Sequence, residues 1–157
     1  MKVTIIDEQT GKEIQNEIPE PQPEFFSFVR ETQLNEDQIS STIDQMNVSA
    51  DIKSLLHSFS KITIRAGKAI LKIGRKIIDF IFALMKSFPN ITFGIIFGLV
   101  VGMLITSIPL LGILLGGLVT KLAVLFGFGL GSKMEFDSGD LGQRVESLIA
   151  EFAPLRT

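Results

Sequence analysis

The feature that most constrains this chain is a stretch of 41 residues, Ile91 to Gly131, in which Lys121 is the only ionisable side chain. A water-soluble domain intersperses charged residues along its surface elements, whereas a charge-free segment of this length is typical of a lipid bilayer. As one helix the stretch would extend roughly 60 Å, about twice the hydrocarbon thickness of a membrane. The sequence therefore predicts two membrane helices that form a hairpin over residues 91–131.

The turn of this hairpin is expected at Ser107 and Pro109, because serine is a good N-cap and proline is favoured in the first turn of a helix. The predicted helices are then Ile91–Thr106 and Leu110–Gly131. This topology predicts a multi-pass membrane protein with both termini on the cytoplasmic or inner side. The alternative is one tilted span from Phe93 to Thr120, followed by a segment along the surface.

Lys121 distinguishes the two topologies. In the hairpin it lies near the bilayer centre, where inserting a lysine costs at least about 2.5 kcal/mol, so it should face a water-filled lumen or pair with an acidic group. In the single span it lies at the far interface, where its ammonium reaches the headgroups. The hairpin is the favoured interpretation.

Glycines recur at every fourth position in both predicted helices. Such faces bring two backbones close together, and in lipid they support helix packing through van der Waals contact. The pattern predicts a glycine zipper, which either closes the hairpin or joins protomers of a homo-oligomer. Its members are Gly94, Gly98, Gly102, Gly112 and Gly116.

The segment before the hairpin is basic, since residues 49–90 carry eight basic and two acidic side chains. Apolar residues within 49–88 step by three or four, which predicts one long amphipathic helix with Ser49 as its N-cap. Gly67 and Gly74 mark a kink or a close helix contact. Each cation beside the apolar face attracts anionic lipid by roughly 1 kcal/mol. The predicted headgroup-binding residues are Lys61, Arg65, Lys68, Lys72, Arg75 and Lys76.

The N-terminal segment is acidic, since residues 1–48 carry three basic and ten acidic side chains. Residues 1–24 form an acidic arm in which a β-prone start and Thr10-Gly11 predict a small hairpin, followed by a proline-rich linker. Such a hairpin needs another sheet edge, for example on a partner chain, so a mobile tail that sometimes forms a turn is the favoured interpretation of this segment. Residues 25–48 are predicted to form two short helices, the second with a capping box at Asn35.

The C-terminal tail, residues 132–157, contains apolar residues at helical spacing from Leu141 to Phe152, and Pro154 follows them. This pattern predicts a short amphipathic helix. The helix either packs on the N-terminal helices or lies at the membrane interface.

No residue pattern indicates catalysis, so the chain is predicted to be a non-enzyme without a cofactor or a metal. There is no cysteine, and His57 is the single histidine, which excludes a thiolate site or a site built from several imidazoles. Nucleic acid is not an expected partner, because no aromatic side chains interleave with the basic residues.

Together these features predict an all-α membrane protein with a long basic amphipathic helix, a glycine-rich transmembrane helical hairpin, an acidic N-terminal arm and a C-terminal amphipathic helix. The predicted function is that of a structural or anchoring component that forms homo-oligomers, binds bilayers, preferably anionic ones, and presents residues 1–24 to a protein partner. The alternative is an oligomeric pore-forming or membrane-permeabilising effector in which Lys121 faces the lumen.

Overall fold

The computed structural model describes residues 1–6, 13–126 and 139–156. Over this part of the chain, seven α-helices and one small antiparallel sheet form two compact units, Met1–Phe80 and Ile81–Thr157. We call these the N-terminal unit and the C-terminal unit. Helices account for 67% of the described residues, so the mainly helical prediction is confirmed. The all-α class is wrong, because the N-terminal unit contains a four-stranded sheet.

The sheet has the strand order β2-β1-β3-β4 with every pair antiparallel. Its strands are β1 (Lys2–Ile6), β2 (Glu13–Glu17), β3 (Ile64–Ala66) and β4 (Ala69–Leu71). The N-terminal hairpin is therefore present, and the edge that it needs is β3 of the same chain rather than a strand of a partner. Val3 and Ile5 on β1 are buried, which anchors the acidic arm in a core. The predicted turn at Thr10-Gly11 lies outside the described residues.

Three helices of the N-terminal unit are α1 (Pro23–Arg30), α2 (Glu36–Gln45) and α3 (Ala50–Ser60). The capping box is present: Asn35 Oδ1 accepts the amide of Gln38 at 2.8 Å, and Gln38 Oε1 accepts the amide of Asn35 at 2.9 Å. Ser49 caps α3 by accepting the amide of Ile52 at 3.3 Å. The buried faces of these helices carry apolar side chains such as Val29 and Leu56.

The single long helix over residues 49–88 is wrong. The chain leaves α3 at Ser60, forms the β3–β4 hairpin, and enters a second helix, α4 (Ile73–Ser87). Gly67 has φ +61° in the two-residue turn of that hairpin, and a glycine at the first central position is what a type II′ turn requires. Because β1 offers its open edge to β3, sheet pairing replaces helix at this place.

Gly74 lies at the start of α4, where the absence of a side chain allows its backbone to pack closely against the backbone at the end of α3. Its amide donates to the carbonyl of Ile62 at 3.1 Å. A Cβ atom at this position would lie 1.8 Å from the carbonyl oxygen of Phe59. Only glycine therefore fits between the end of α3 and the start of α4.

Asp79 on α4 is the buried charged residue of the described chain, with 5% of its surface exposed. Its two carboxylate oxygens accept the backbone amides of Gln33 at 3.0 Å and Leu34 at 2.8 Å. These charge-assisted hydrogen bonds fix the segment between α1 and α2 against α4.

The C-terminal unit contains α5 (Phe93–Ser107), α6 (Pro109–Phe126), α7 (Asp140–Glu151) and a 3₁₀ turn (Ala153–Leu155), after the last residues of α4. Only Ile108 separates α5 from α6, so the two helices are antiparallel. The ring of Phe126 lies 5.7 Å from that of Phe93 and 6.2 Å from that of Phe97, which closes the open end of the pair. We call α5 and α6 together the apolar hairpin.

The predicted C-terminal amphipathic helix is present as α7, which packs against α5. Arg144 donates to the hydroxyl of Ser87 at 2.7 Å, and Arg156 donates through Nε to the carbonyl of Ser107 at 3.1 Å. Since Ser107 is the last residue of α5, the region around α7 reaches the turn of the apolar hairpin. The predicted extension of the second membrane helix over residues 127–131 lies outside the described residues.

Candidate functional site

The apolar hairpin carries no ionisable side chain before Lys121. Among the described residues, α6 is the one helix that is long and apolar enough to cross a membrane, and 39% of it is buried within the protein. The 15 residues of α5 fall short of that length. A helix with this composition is stable either in a protein core or in a bilayer. The part of α6 that is not buried within the protein is therefore a candidate for contact with lipid.

Large apolar side chains are exposed on α6, together with Thr120 and Lys121. Of the four large hydrophobic side chains that are exposed in the described part of the chain, three lie on this helix: Ile113 at 53%, Val124 at 77% and Leu125 at 44%. The fourth, Ile70, lies on β4 at 61%. Three exposed large apolar side chains on one helix make a surface that water disfavours and that lipid or another protein favours.

Two threonine hydroxyls on the apolar hairpin are satisfied within their own helices. Thr106 donates its hydroxyl to the carbonyl of Gly102 at 2.8 Å, and Thr120 donates to the carbonyl of Gly116 at 2.8 Å. Both threonines are exposed. Because these hydroxyls donate without help from water, the two helices tolerate an apolar environment at these positions.

The predicted zipper glycines divide into two groups. A Cβ at Gly94 would lie 3.1 Å from the Phe126 ring, and a Cβ at Gly112 would lie 3.3 Å from Cγ2 of Ile105, so these two glycines permit close packing of α5 on α6. A Cβ at Gly102 or Gly116 would meet nothing within 4 Å. Gly98 is half-buried on α5.

Ser107 and Pro109 flank Ile108 at the chain reversal, and Pro109 is the first residue of α6. Lys121 is exposed on α6, five residues before Phe126. No ion pair to Lys121 is present among the described residues. Its ammonium therefore lies on the exposed side of the helix that carries Val124.

The six predicted headgroup-binding residues do not form one stripe, because the helix that was to carry them is interrupted by the β3–β4 hairpin. Lys61, Lys72 and Arg75 line one cavity. Lys68 lines another, and Arg65 is exposed on β3. Lys76 donates to the carbonyl of Glu31 at 2.6 Å, and its Nζ lies 4.3 Å from the centre of the Phe28 ring.

The sequence did not predict that an acidic residue, Glu36, lies beside Lys61, Lys72 and Arg75. Glu36 pairs with Lys72 and lies 3.7 Å from Arg75 NH1, although it precedes Lys72 by 36 residues. No local periodicity connects positions so far apart. Within the described residues, no group of three or more His, Cys, Asp or Glu side chains is placed to hold a metal ion.

The chain matches no protein-family model, and it has no significant match among curated proteins or among solved structures.

Proposed function

We propose that this chain is a non-catalytic membrane-anchored protein. The apolar hairpin of the C-terminal unit enters the bilayer, and the N-terminal unit remains in water as the part that meets other molecules. The observation that carries the proposal is the outer face of α6, where Ile113, Val124 and Leu125 are exposed on a helix that is long enough to cross a membrane.

The lengths of the two helices agree with insertion as a pair. The 18 residues of α6 extend about 27 Å and the 15 residues of α5 about 22 Å, against a hydrocarbon core of about 30 Å. Modest thinning of the bilayer accommodates this difference at a fraction of a kcal/mol per ångström. A paired hairpin returns the chain to the side from which it entered, which makes the protein multi-pass with both flanks on the inner side.

Insertion requires α7 to leave α5. The exposed residues of α7 include Glu146 and Glu151, and carrying such carboxylates into hydrocarbon costs several kcal/mol. In water, the buried residues Val145 and Leu148 of α7 lie in the apolar core of the C-terminal unit instead. We infer that α7 covers α5 before insertion and lies at the interface afterwards.

The test compares an apolar residue of α6 with one of the N-terminal unit. Ile113→Asp places a carboxylate more than a turn inside the inserted helix, and we expect an insertion cost of at most about 2.5–3.5 kcal/mol, the value at the centre of a span. Alkaline carbonate extraction of vesicles should leave the wild-type chain in the membrane and release Ile113→Asp. Ile70→Asp is the matched control, because Ile70 is equally apolar and exposed but lies on β4, and it should stay with the membrane.

Release of the wild-type chain by carbonate, or retention of both variants in the membrane, would contradict insertion through α6. A wild-type chain that stays while both variants are released would place the N-terminal unit in lipid as well.

The topology is tested separately by cysteine labelling, since the chain contains no cysteine and single introduced thiols give an unambiguous signal. Ser54→Cys on α3 and Ser147→Cys on α7 both replace exposed serines. A membrane-impermeant maleimide added outside sealed vesicles should label both thiols or neither. Labelling of only one would show a single span.

An acidic surface for a protein partner is available on β2, an edge strand of the sheet on which Glu13 and Glu17 are exposed. Deleting residues 1–24 would remove the buried residues Val3, Ile5 and Ile18 and would unfold the sheet, so charge reversal is the cleaner change. Glu13→Lys with Glu17→Lys should abolish partner recovery from detergent extracts and leave membrane insertion intact. Unchanged recovery would remove this edge from the proposal.

A second candidate function is a membrane-permeabilising effector, and one observation favours it: α7 covers an apolar hairpin that carries one exposed cation, Lys121. Several inserted hairpins that oligomerise around a lumen lined by Lys121 would favour anions. Purified protein should then release an anionic dye from liposomes, with reduced anion selectivity in Lys121→Glu. Sealed liposomes after insertion would leave anchoring as the function.

A further inference from the structure

The N-terminal unit contains a basic cavity of about 310 Å³ that the membrane-anchoring function does not use. Its walls come from segments far apart in the sequence. Glu36 and Ser40 lie on α2, His57 and Ser60 on α3, and Lys72 and Arg75 where β4 passes into α4. We call this the α2–α4 cavity. Its volume lies at the lower end of the range for small-molecule sites.

The charge of the α2–α4 cavity is positive. Lys61, Lys72 and Arg75 contribute three cations and Glu36 one carboxylate, which leaves a net charge of +2 with His57 neutral. Hydroxyl groups of Ser40, Ser60 and Thr63 also line it and offer further donors. Lys72 directly precedes α4 and Arg75 lies in its first turn, so the positive end of the helix dipole adds to the field.

Arg75 is not fully paired in this arrangement. Its side chain is 17% exposed, its NH1 lies 3.7 Å from Glu36 Oε1, and its buried Nε has no hydrogen-bond partner among the described residues. A buried donor without an acceptor is rare in proteins and is expensive to maintain. An oxyanion in the cavity that accepts from the terminal nitrogens of Arg75 would form the close charge-assisted hydrogen bond that Glu36, at 3.7 Å, does not form.

Glu36 acts as an internal anion for Lys72, but it does not come within hydrogen-bond distance of Arg75. It pairs with Lys72, and the hydrogen bond from Lys72, followed by the positive charge of Lys72, lowers the pKa of Glu36, with a smaller lowering from Arg75. Its side chain is nevertheless 60% exposed, so the carboxylate can leave the cavity for water. Once Glu36 is displaced, Lys61, Lys72 and Arg75 present three positive charges, and an incoming anion with two negative charges would leave a net charge of +1.

We propose that the α2–α4 cavity binds a phosphate monoester group, with Arg75 and Lys72 holding its oxygens, Lys61 balancing its charge and Glu36 displaced. A phosphate monoester carries about −1.5 to −2 charges at neutral pH and three strong acceptor oxygens, which matches the cations and hydroxyls available. The group belongs either to a lipid headgroup or to a free phosphate compound. The site lies within the N-terminal unit and does not depend on hairpin insertion.

The test uses the full chain in neutral detergent micelles and follows the side-chain carboxyl resonance of Glu36 by NMR. Inorganic phosphate titrated at constant ionic strength should shift this resonance saturably, and chloride should not. The pKa of Glu36 should rise toward its ordinary value as phosphate displaces it from Lys72.

Two charge-matched variants make the result specific. Arg75→Gln should weaken phosphate binding roughly ten- to hundred-fold, because it removes a charge-assisted hydrogen-bonding fork. Arg65→Gln removes the same charge from exposed β3 and should change affinity less than about two-fold, as expected for screened surface charges. Equal affinities of the two variants, or no saturable shift in the wild type, would overturn the proposal. The amide signals of Gln33 and Leu34, which bond to Asp79, report whether each variant is folded.

A third variant tests the site if Arg75→Gln does not fold. Glu36→Gln removes the internal competitor and should tighten phosphate binding several-fold, now followed through the His57 ring resonances. Glu24→Gln on α1 removes the same charge outside the cavity and should leave the affinity unchanged. Equal tightening in both would reduce the effect to net charge and would contradict a defined site.

The two sources of the phosphate group are separated in the same micelles. Doping with phosphatidic acid should shift Glu36, and inorganic phosphate should compete, if the ligand is a headgroup; phosphatidylserine at matched surface charge is the control. A response to inorganic phosphate without a response to phosphatidic acid identifies a free phosphate compound as the ligand.

Discussion

The N-terminal and C-terminal units differ in how they exclude water from an apolar core. In the N-terminal unit, apolar side chains alternate with charged ones, and polar contacts such as those of Asp79 fix the segments that surround the core. In the C-terminal unit, α5 and α6 are apolar on nearly every side, and the hydroxyls of Thr106 and Thr120 bond within their own helices. The N-terminal unit has a surface of polar and charged side chains, whereas the C-terminal unit exposes large apolar side chains on α6.

This difference indicates two environments for one chain. Ile70 is a single exposed apolar residue on a strand whose neighbour Arg65 is charged, which is ordinary for a soluble surface. On α6, three large apolar side chains are exposed on one helix, which is not ordinary for a soluble surface.

The largest effect is expected from Gly74→Ala. The added Cβ would overlap the backbone carbonyl of Phe59, which cannot move without separating α3 from α4, so we expect the N-terminal unit to lose about 3 kcal/mol or more. Gly116→Ala on α6 is the control, since its Cβ meets open space and alanine should stabilise the helix by about 0.5–1 kcal/mol. Native-state hydrogen exchange of amides in β1 and α6 measures each unit separately. A similar loss for both substitutions would contradict this difference in packing.

A smaller loss is expected from Asp79→Ala. The substitution removes the buried carboxylate that accepts the amides of Gln33 and Leu34, and we expect a loss of about 1.5–3 kcal/mol, the usual contribution of hydrogen bonds to a charged group. Glu20→Ala removes an exposed carboxylate from the linker and should cost less than about 0.5 kcal/mol. Chemical denaturation followed at signals of the N-terminal unit compares the two. A cost below that of Glu20→Ala would show that these hydrogen bonds do not hold the unit together.

The smallest expected effect is the change in stability of the N-terminal unit as the pH falls. Since Lys72 lowers the pKa of Glu36 below its ordinary 4.5, Glu36 stabilises the folded N-terminal unit above pH 4.5. That contribution is lost as the pH falls from 4.5 through the lowered value. The melting temperature of the N-terminal unit should therefore fall over this range more in the wild type than in Glu36→Gln, whose side chain does not titrate. High salt should reduce the difference, because the pair is exposed. Parallel curves would contradict a stabilising Lys72–Glu36 pair.

Much of the helical structure follows from local sequence. The capping box of Asn35 and Gln38 starts α2 where the pattern predicts it, and α7 follows from apolar residues at helical spacing. The β3–β4 hairpin does not follow so easily. Ile62, Ala66, Ala69 and Ile73 fit a helical period, although Ile64, Arg65 and Ala66 also alternate as a strand does. The choice between them depends on β1, which lies some sixty residues earlier.

The charge-free composition of residues 91–120 already requires helices that avoid water, because unpaired backbone groups are too costly in an apolar surrounding. The concentration of basic residues in positions 49–90 is likewise evident from the sequence. Which of those residues act together is a property of the folded chain: Lys61, Lys72 and Arg75 share a cavity, Arg65 lies on a strand, and Glu36 joins them from another helix. Electrostatic interaction depends on distance in space, and only the tertiary structure brings Glu36 to Lys72 and to within 3.7 Å of Arg75 NH1.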